Sequence, residues 1–177
     1  MIIGMRPLEY KEGVLKLLDQ TKLPHEVIWI ECKTYNDVAI AIKDMIVRGA
    51  PAIGVSAAYG IAIGAQAIDT DSKDVFFIKL ENVCNTLKNT RPTAVNLFWA
   101  IERIFGKAIS SKNKSISEIK EIIVNEALLM DKEDVEINKS IGYHGNALIK
   151  EGWTILTHCN AGALATCDYG TALGVIR

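Results

Sequence analysis

The chain has 177 residues, of which 49% are hydrophobic, and a formal net charge of −1 at pH 7. This length and composition suit one domain with a sizeable core, or one small domain and part of another. The near-neutral charge and the scattered basic residues exclude the basic surface typical of nucleic-acid-binding proteins, and the apolar runs are too short to predict a membrane-spanning helix.

Cysteine usage and the N-terminus indicate a cytoplasmic protein with reduced thiols. The first residues lack the basic segment and long apolar core of a secretory signal. Without such a signal, the four cysteines, Cys32, Cys84, Cys159 and Cys167, are expected to be free rather than paired. No two of them have the C-x-x-C spacing of a zinc site, and only His158 lies near Cys159, so we expect no metal site.

The first elements predicted along the chain are two strands and a helix. Residues 14–20 and 26–32 are short apolar segments of the kind found in strands, and together they predict a small antiparallel sheet. The spacing of apolar residues changes at Thr34, which is a suitable helix N-cap with Asp37 in the first turn. This helix is predicted to end at Gly49.

Four further helices are predicted. The first covers residues 51–68, begins with a proline and contains almost no charge, so we expect it to be buried on most sides. The others are predicted over residues 73–89, 93–110 and 116–149. Gly142 and Gly145 are expected to weaken or bend the last of them.

The pattern changes again near the end of the chain. Residues 153–159 suit a buried strand, and the small residues after it lead into a short helix in which Cys167 is an apolar filler. A strand, a tight loop and a helix are typical of the start of an α/β domain with a parallel sheet. A parallel strand needs neighbours and helical crossovers. We therefore expect the chain to be a fragment, or half of a two-chain assembly.

The predicted fold class is mixed α+β leading into α/β. Residues 1–150 are expected to form a domain made of a small N-terminal antiparallel sheet and a helical bundle. Residues 151–177 are expected to start a second, truncated domain. Its single strand–helix unit would be the first of a Rossmann-like parallel sheet that this chain does not complete.

A candidate phosphate site lies in the segment VRGAPAIG, residues 47–54. The N-terminus of the helix offers free backbone N–H groups and the positive end of a dipole. Gly49 and Ala50 leave the backbone accessible, and Arg48 offers a guanidinium suited to phosphate. A plain helix–helix turn with Gly49 as a C-cap is the alternative. Arg91 precedes another predicted helix and would converge on the same phosphate, or would be an ordinary loop arginine.

Cys159 closes the predicted strand at its carboxyl end. In open α/β sheets ligands bind just outside such ends, so Cys159 is a candidate substrate contact. A buried structural thiol is the alternative. The neighbouring His158 would point to the other face of the strand and is expected to be structural.

Six segments carry a resemblance to a known family: RPLEY (6–10), LLDQTKLP (17–24), RGAPAIG (48–54), RPTAVNL (91–97), THCNAGALAT (157–166) and GTALGVI (170–176). In this order they resemble the N-terminal part of the methylthioribose-1-phosphate isomerases, which belong to the initiation factor 2B alpha/beta/delta-like family. The resemblance implies an aldose–ketose isomerase of methionine salvage that converts 5-methylthioribose 1-phosphate to 5-methylthioribulose 1-phosphate without a metal or organic cofactor. It implies Cys159 as the catalytic cysteine, and substrate contacts from Arg48, Gly49, Ala50 and Arg91.

The same resemblance places the general acid, an aspartate, in a C-terminal domain that these residues do not include. It implies a homodimer when the protein is complete, and inactivity of this chain alone unless a second chain supplies that domain. Two alternatives stay open. One is a relative acting on 5-deoxyribose 1-phosphate or ribose 1,5-bisphosphate; the other is a non-enzymatic regulatory subunit that binds a nucleotide or sugar phosphate and a protein partner.

Overall fold

Three short strands come first in the computed structural model, which describes residues 6–177, and helices follow. The elements are β1 Leu8–Lys11, β2 Val14–Leu18, β3 Trp29–Cys32, α1 Tyr35–Lys43, α2 Ala50–Ala67, α3 Lys73–Lys88, α4 Val95–Ser110, α5 Ile116–Asn146, a 3₁₀ turn Ala163–Ala165, and α6 Ala172–Ile176. This arrangement confirms the predicted combination of a small antiparallel sheet with a set of helices.

The sheet has the order β1-β2-β3, and both pairs of strands are antiparallel. Glu12 and Gly13 connect β1 to β2 in a two-residue turn, and both have positive φ, as a tight hairpin of this kind requires. Leu8 lies opposite Leu17 in the register, and Leu15 is two residues before Leu17. All three leucines are fully buried, so one face of the sheet packs on the helices.

Helix α1 begins as predicted and ends earlier than predicted. Thr34 and Asp37 form a reciprocal capping box at its start. The helix ends at Lys43 rather than at Gly49, because Met45 adopts a left-handed conformation with φ 60°. The Ile46 N–H then donates to the carbonyl of Ala41 at 2.9 Å, which completes a Schellman motif. Glycine usually occupies this left-handed position, so a methionine there does not indicate that the helix ends.

Helix α2 is the centre of the fold. It packs against the sheet, α1, α3, α4 and α5, and its residues from Ala52 to Ala65 are all buried. Among residues 6–177, α2 is the one helix that is long and apolar enough to cross a membrane. However, 78% of it is buried inside the protein. Its apolar character is that of a core helix, as expected from the sequence.

Helix α5 runs without a break through Gly142 and Gly145 to Asn146, so these glycines do not interrupt it. A Cβ at position 142 would lie 2.7 Å from the carbonyl oxygen of Gly174, and one at position 145 would lie 2.7 Å from the side chain of Val175. The two glycines therefore give α6 room to pack against α5.

The strand predicted over residues 153–159 is not confirmed. These residues lie outside any helix or strand, and no strand among the described residues pairs with them. A parallel strand exists only when a neighbour supplies its hydrogen bonds. The short helix after it is the 3₁₀ turn Ala163–Ala165. Cys167 was expected inside a helix; it lies in the irregular segment that follows, although it is fully buried, as a filler should be.

An ion-pair network between α4 and α5 shows how these helices are held. Arg103 donates to Glu126 at 2.7 Å and to Glu133 at 2.5 Å, and Glu126 is buried.

Arg103→Met is expected to lower the free energy of unfolding by about 1–3 kcal/mol, because it removes a close hydrogen-bond partner from the buried carboxylate of Glu126. Urea unfolding measures this. The control is Lys132→Met, which removes an exposed ion pair with Glu136 and is expected to change the free energy of unfolding by less than about 0.5 kcal/mol. Equal losses of stability in the two variants would contradict the prediction that the buried pair contributes more.

Candidate functional site

Three segments that are far apart in the sequence meet at the start of α2. They are the residues just before α2, the end of β2, and the loop before α6. Gly49 is buried, and a Cβ on it would overlap the backbone of Ala165. The side chain of Gln20 donates from Nε2 to the carbonyl of Leu164 at 2.8 Å, and the backbone N–H of Gln20 donates to the carbonyl of Ile46 at 3.0 Å.

The start of α2 has the features of an anion cradle. Gly49 is the N-cap of α2, because its carbonyl accepts from the N–H of Ile53 at 2.8 Å, so its alternative role as the C-cap of the preceding helix is wrong. No side chain caps the helix, so its first N–H groups are left for a ligand or water. Arg48 and Ala50, on either side of Gly49, are both exposed.

Arg91 lies before the start of α4, a helix that packs against α2. It is half-buried, and its carbonyl accepts from the N–H of Ala94 at 3.1 Å in the turn that leads into α4. The first turns of α2 and α4 pack closely, because a Cβ on Gly54 would lie 2.9 Å from the carbonyl oxygen of Asn96. Arg48 and Arg91 therefore precede the N-terminal ends of two neighbouring helices.

Of the four cysteines, Cys159 alone is exposed, and its backbone is left-handed with φ 66°. The other three are buried, and burial raises the pKa of Cys32 to about 11, that of Cys84 to about 12, and that of Cys167 well above its ordinary value. These three stay protonated at neutral pH. His158 is exposed as well, so the structural packing expected of it is not seen.

The loop after Cys159, residues 160–171, is fastened to the helices behind it. The Leu173 N–H donates to the carbonyl of Ala161 at 3.2 Å. The Cys167 N–H donates to the Asp134 carboxylate on α5 at 2.7 Å. Burial raises the pKa of Asp134, and this hydrogen bond opposes that rise. The loop is thus held from α5 as well as from Gln20.

Sequence reasoning correctly placed Arg48, Gly49, Ala50 and Arg91 at or just before the starts of helices. It placed Cys159 at the end of a strand that is not seen, and it missed the two residues that hold the loop, Gln20 and Asp134. Gln20 lies in the segment LLDQTKLP, which was noted only for its family resemblance. No local signal marks Asp134, which lies on an ordinary amphipathic helix. Within residues 6–177 no group of three or more His, Cys, Asp or Glu side chains is placed to hold a metal ion.

The sequence profile of the initiation factor 2 subunit family matches residues 46–177, which is most of the chain. The chain belongs to this family. One relative, the methylthioribose-1-phosphate isomerase of Acetivibrio thermocellus, is 68% identical over 173 residues, which are 98% of this chain and 51% of the relative. The isomerase of Geobacter sulfurreducens is 51% identical over 175 residues, again 51% of its length. The chain therefore spans about half the length of the curated relatives it matches.

Two solved structures have the same fold as this chain. The 5-methylthioribose 1-phosphate isomerase of Pyrococcus horikoshii OT3 aligns with a TM-score of 0.91 and 44% identity, over 97% of this chain and 48% of that one. The translation initiation factor eIF-2B subunit delta of A. fulgidus aligns with a TM-score of 0.85 and 45% identity, over 97% of this chain and 50% of that one. The fold is thus shared with proteins of both names.

Proposed function

We propose that this chain supplies the N-terminal half of a methylthioribose-1-phosphate isomerase, with the phosphate cradle and the catalytic cysteine. The observation that carries the proposal is the close packing of Gly49 on Ala165, because it joins the cradle to the loop that begins after Cys159. The 68% identity to the Acetivibrio thermocellus isomerase supports this reaction in particular.

The cradle would hold the phosphate of the sugar. In 5-methylthioribose 1-phosphate this group is attached to the anomeric carbon, so the ring cannot open as in a free sugar. The cradle would hold the phosphate in place while an acid assists the ring opening. The free N–H groups at Gly49 and Ala50, together with the α2 dipole, would bind the phosphate oxygens. Arg48 and Arg91 would add charge-assisted hydrogen bonds and fix its orientation.

Cys159 would act at the sugar carbons. Isomerisation moves a hydrogen from C2 to C1. As a thiolate beside a sugar anchored by its phosphate, Cys159 would take the proton from C2 and return it to C1. If the hydrogen moves directly as a hydride, the side chain would instead stabilise the charge that develops on the sugar. Both roles need a site closed to water. In this structure Cys159 is exposed, so the site needs a cover that these residues do not provide.

The cover would be a second domain, which would also bring the general acid. Residues 153–156 support this, because they expose apolar side chains: Leu156 is 95% exposed and Trp153 is 59% exposed. We propose that residues 153–159 become a strand of a Rossmann-like parallel sheet when that domain is present, with residues 151–177 as its beginning. The family resemblance further suggests a cytoplasmic homodimer.

Reconstitution tests this proposal. The chain is co-expressed with the second half of the Acetivibrio thermocellus relative, and conversion of 5-methylthioribose 1-phosphate to the ketose is followed by NMR. We expect turnover by the pair and none by either half alone. A pair that associates but converts none of the substrate would overturn the proposal. Faster turnover of 5-deoxyribose 1-phosphate or ribose 1,5-bisphosphate would assign the site to that substrate instead.

A regulatory subunit is the second candidate, and the likeness to the eIF-2B delta subunit favours it. Such a subunit would bind a sugar phosphate or nucleotide at the same cradle without converting it. An exposed cysteine just before the loop that packs on the cradle is a feature that an isomerase uses and a purely binding protein does not need.

Arg91→Ala is expected to weaken substrate binding. The change removes a charge-assisted contact worth about 1.5–3 kcal/mol, which corresponds to a roughly 10- to 100-fold higher KM with a smaller change in kcat. Steady-state kinetics of the reconstituted pair measures both constants. Lys114→Ala, in an exposed loop, is the control and should change neither. An unchanged KM and rate for Arg91→Ala would remove Arg91 from the site.

A further inference from the structure

The segment LLDQTKLP, residues 17–24, has no role in the proposed chemistry, yet it holds a buried polar residue at a central position. Gln20 lies two residues after β2 ends at Leu18 and is only 8% exposed. When a buried residue is hydrogen-bonded to two other segments of the chain, it fixes the positions of those segments relative to one another.

Gln20 touches both halves of the candidate site. Its backbone N–H donates to the carbonyl of Ile46, two residues before Arg48. Its side chain donates to the carbonyl of Leu164, which lies 144 residues away in the sequence. Because a carbonyl oxygen only accepts, this second contact depends on the amide nitrogen of the side chain.

The position reached by Gln20 is where the loop meets the cradle. Leu164 precedes Ala165, whose backbone leaves no room for a Cβ on Gly49. The loop therefore packs against the cradle at Ala165 and is hydrogen-bonded to the Gln20 side chain at Leu164. Cys159 lies five residues before Leu164.

We propose that Gln20 is a positioning residue, which holds the loop that follows Cys159 against the Arg48–Gly49 cradle. Its contribution to catalysis rests on the proposed function. Its two hydrogen bonds are separable, because a side-chain substitution removes the bond to Leu164 and keeps the backbone bond to Ile46. Loss of the side-chain bond loosens the loop around Leu164, while the hydrogen bond from Cys167 to Asp134 and the phosphate cradle stay in place.

The variant is Gln20→Met, which keeps the length of the side chain and removes the donor. Hydrogen exchange of the full chain is the first measurement. We expect at least about tenfold faster exchange for the amides of Ala165 and Thr166, and unchanged exchange at Ile46 and in α3. Gln66→Met, the same substitution at an exposed glutamine, is the control and should alter neither region.

Kinetics of the reconstituted pair is the second measurement. We expect Gln20→Met to lower kcat about 10- to 100-fold, because a displacement of about 1 Å at the reacting group has this effect, and to change KM less than about threefold. A side chain that served stability alone would lower the melting temperature and leave kcat of the folded enzyme unchanged. Gln20→Glu, which also lacks the donor in its ionised form, is measured in the same way if the methionine variant does not fold.

Two results would overturn the proposal: exchange that is unchanged at Ala165 and Thr166, or exchange that rises equally throughout the chain. An unchanged kcat would equally overturn the catalytic part. If the pair with wild-type Gln20 shows no isomerase activity, the proposed function fails, and hydrogen exchange still decides whether Gln20 holds the loop.

Discussion

Replacement of Cys159 by serine is expected to lower turnover of the reconstituted isomerase by about 10²–10⁴-fold, the range typical of removing a group that transfers a proton or stabilises charge. Serine keeps the shape of the side chain but is a far weaker acid and nucleophile. Cys159 is exposed, so the fold has little to lose from the change. Steady-state kinetics gives the turnover, and a thermal melt shows whether the variant stays folded.

The matched control is Cys84→Ser, which places a hydroxyl where a buried thiol lies in α3. This variant should show the opposite pattern, with a lower melting temperature and near-normal turnover of the folded protein, because a polar group is buried away from the site. Near-normal turnover of the Cys159→Ser variant would refute a catalytic role for Cys159.

Gly49→Ala is the second substitution with a large expected effect. A methyl group there would overlap the backbone of Ala165, and a backbone cannot move aside as a flexible side chain can. Overpacking of this kind costs about 1–3 kcal/mol of unfolding free energy. Relief of the overlap would also push the loop away from the cradle, so turnover should fall with stability. Urea unfolding and kinetics of the reconstituted pair measure the two effects.

Gly106→Ala is the control for this change. Gly106 lies within α4, and a Cβ there would have open space around it. Alanine should stabilise this helix position by about 0.5–1 kcal/mol and leave turnover unchanged. If Gly49→Ala were as stable and as active as the original chain, the close packing of Gly49 on Ala165 would not hold the site together.

Elements governed by local sequence were predicted well. Thr34 begins α1 because its side chain and that of Asp37 cap the first turn, and this pattern is visible in the sequence. The apolar composition of α2 predicted its burial for a similar reason. The end of α1 was missed because Met45 takes a left-handed conformation that favours glycine, and tertiary packing rather than local preference decides such a case.

The strand predicted over residues 153–159 failed for a different reason. Its apolar residues are a real signal, but strand structure depends on a partner, and none of the described residues provides one. The prediction that residues 1–150 and 151–177 belong to different domains stays a prediction.

The candidate site could be predicted residue by residue, but not as an arrangement. Arg48 and Gly49 were recognised because small residues and an arginine at a helix start have a known affinity for phosphate. The packing of Gly49 against Ala165 follows from the fold and not from any spacing in the sequence. Gln20 was missed for the same reason, since its partner Leu164 lies at the other end of the chain.

The most direct test of the central claim is a crystal structure of this chain, paired with the second half of the Acetivibrio thermocellus relative, with 5-methylthioribose 1-phosphate bound. The proposed function predicts the phosphate within hydrogen-bonding distance of the N–H groups at Gly49 and Ala50 and of the Arg48 and Arg91 side chains. It also predicts the Cys159 sulfur about 3–3.5 Å from C1 or C2 of the sugar. Phosphate bound away from the start of α2, or a sugar out of reach of Cys159, would contradict it.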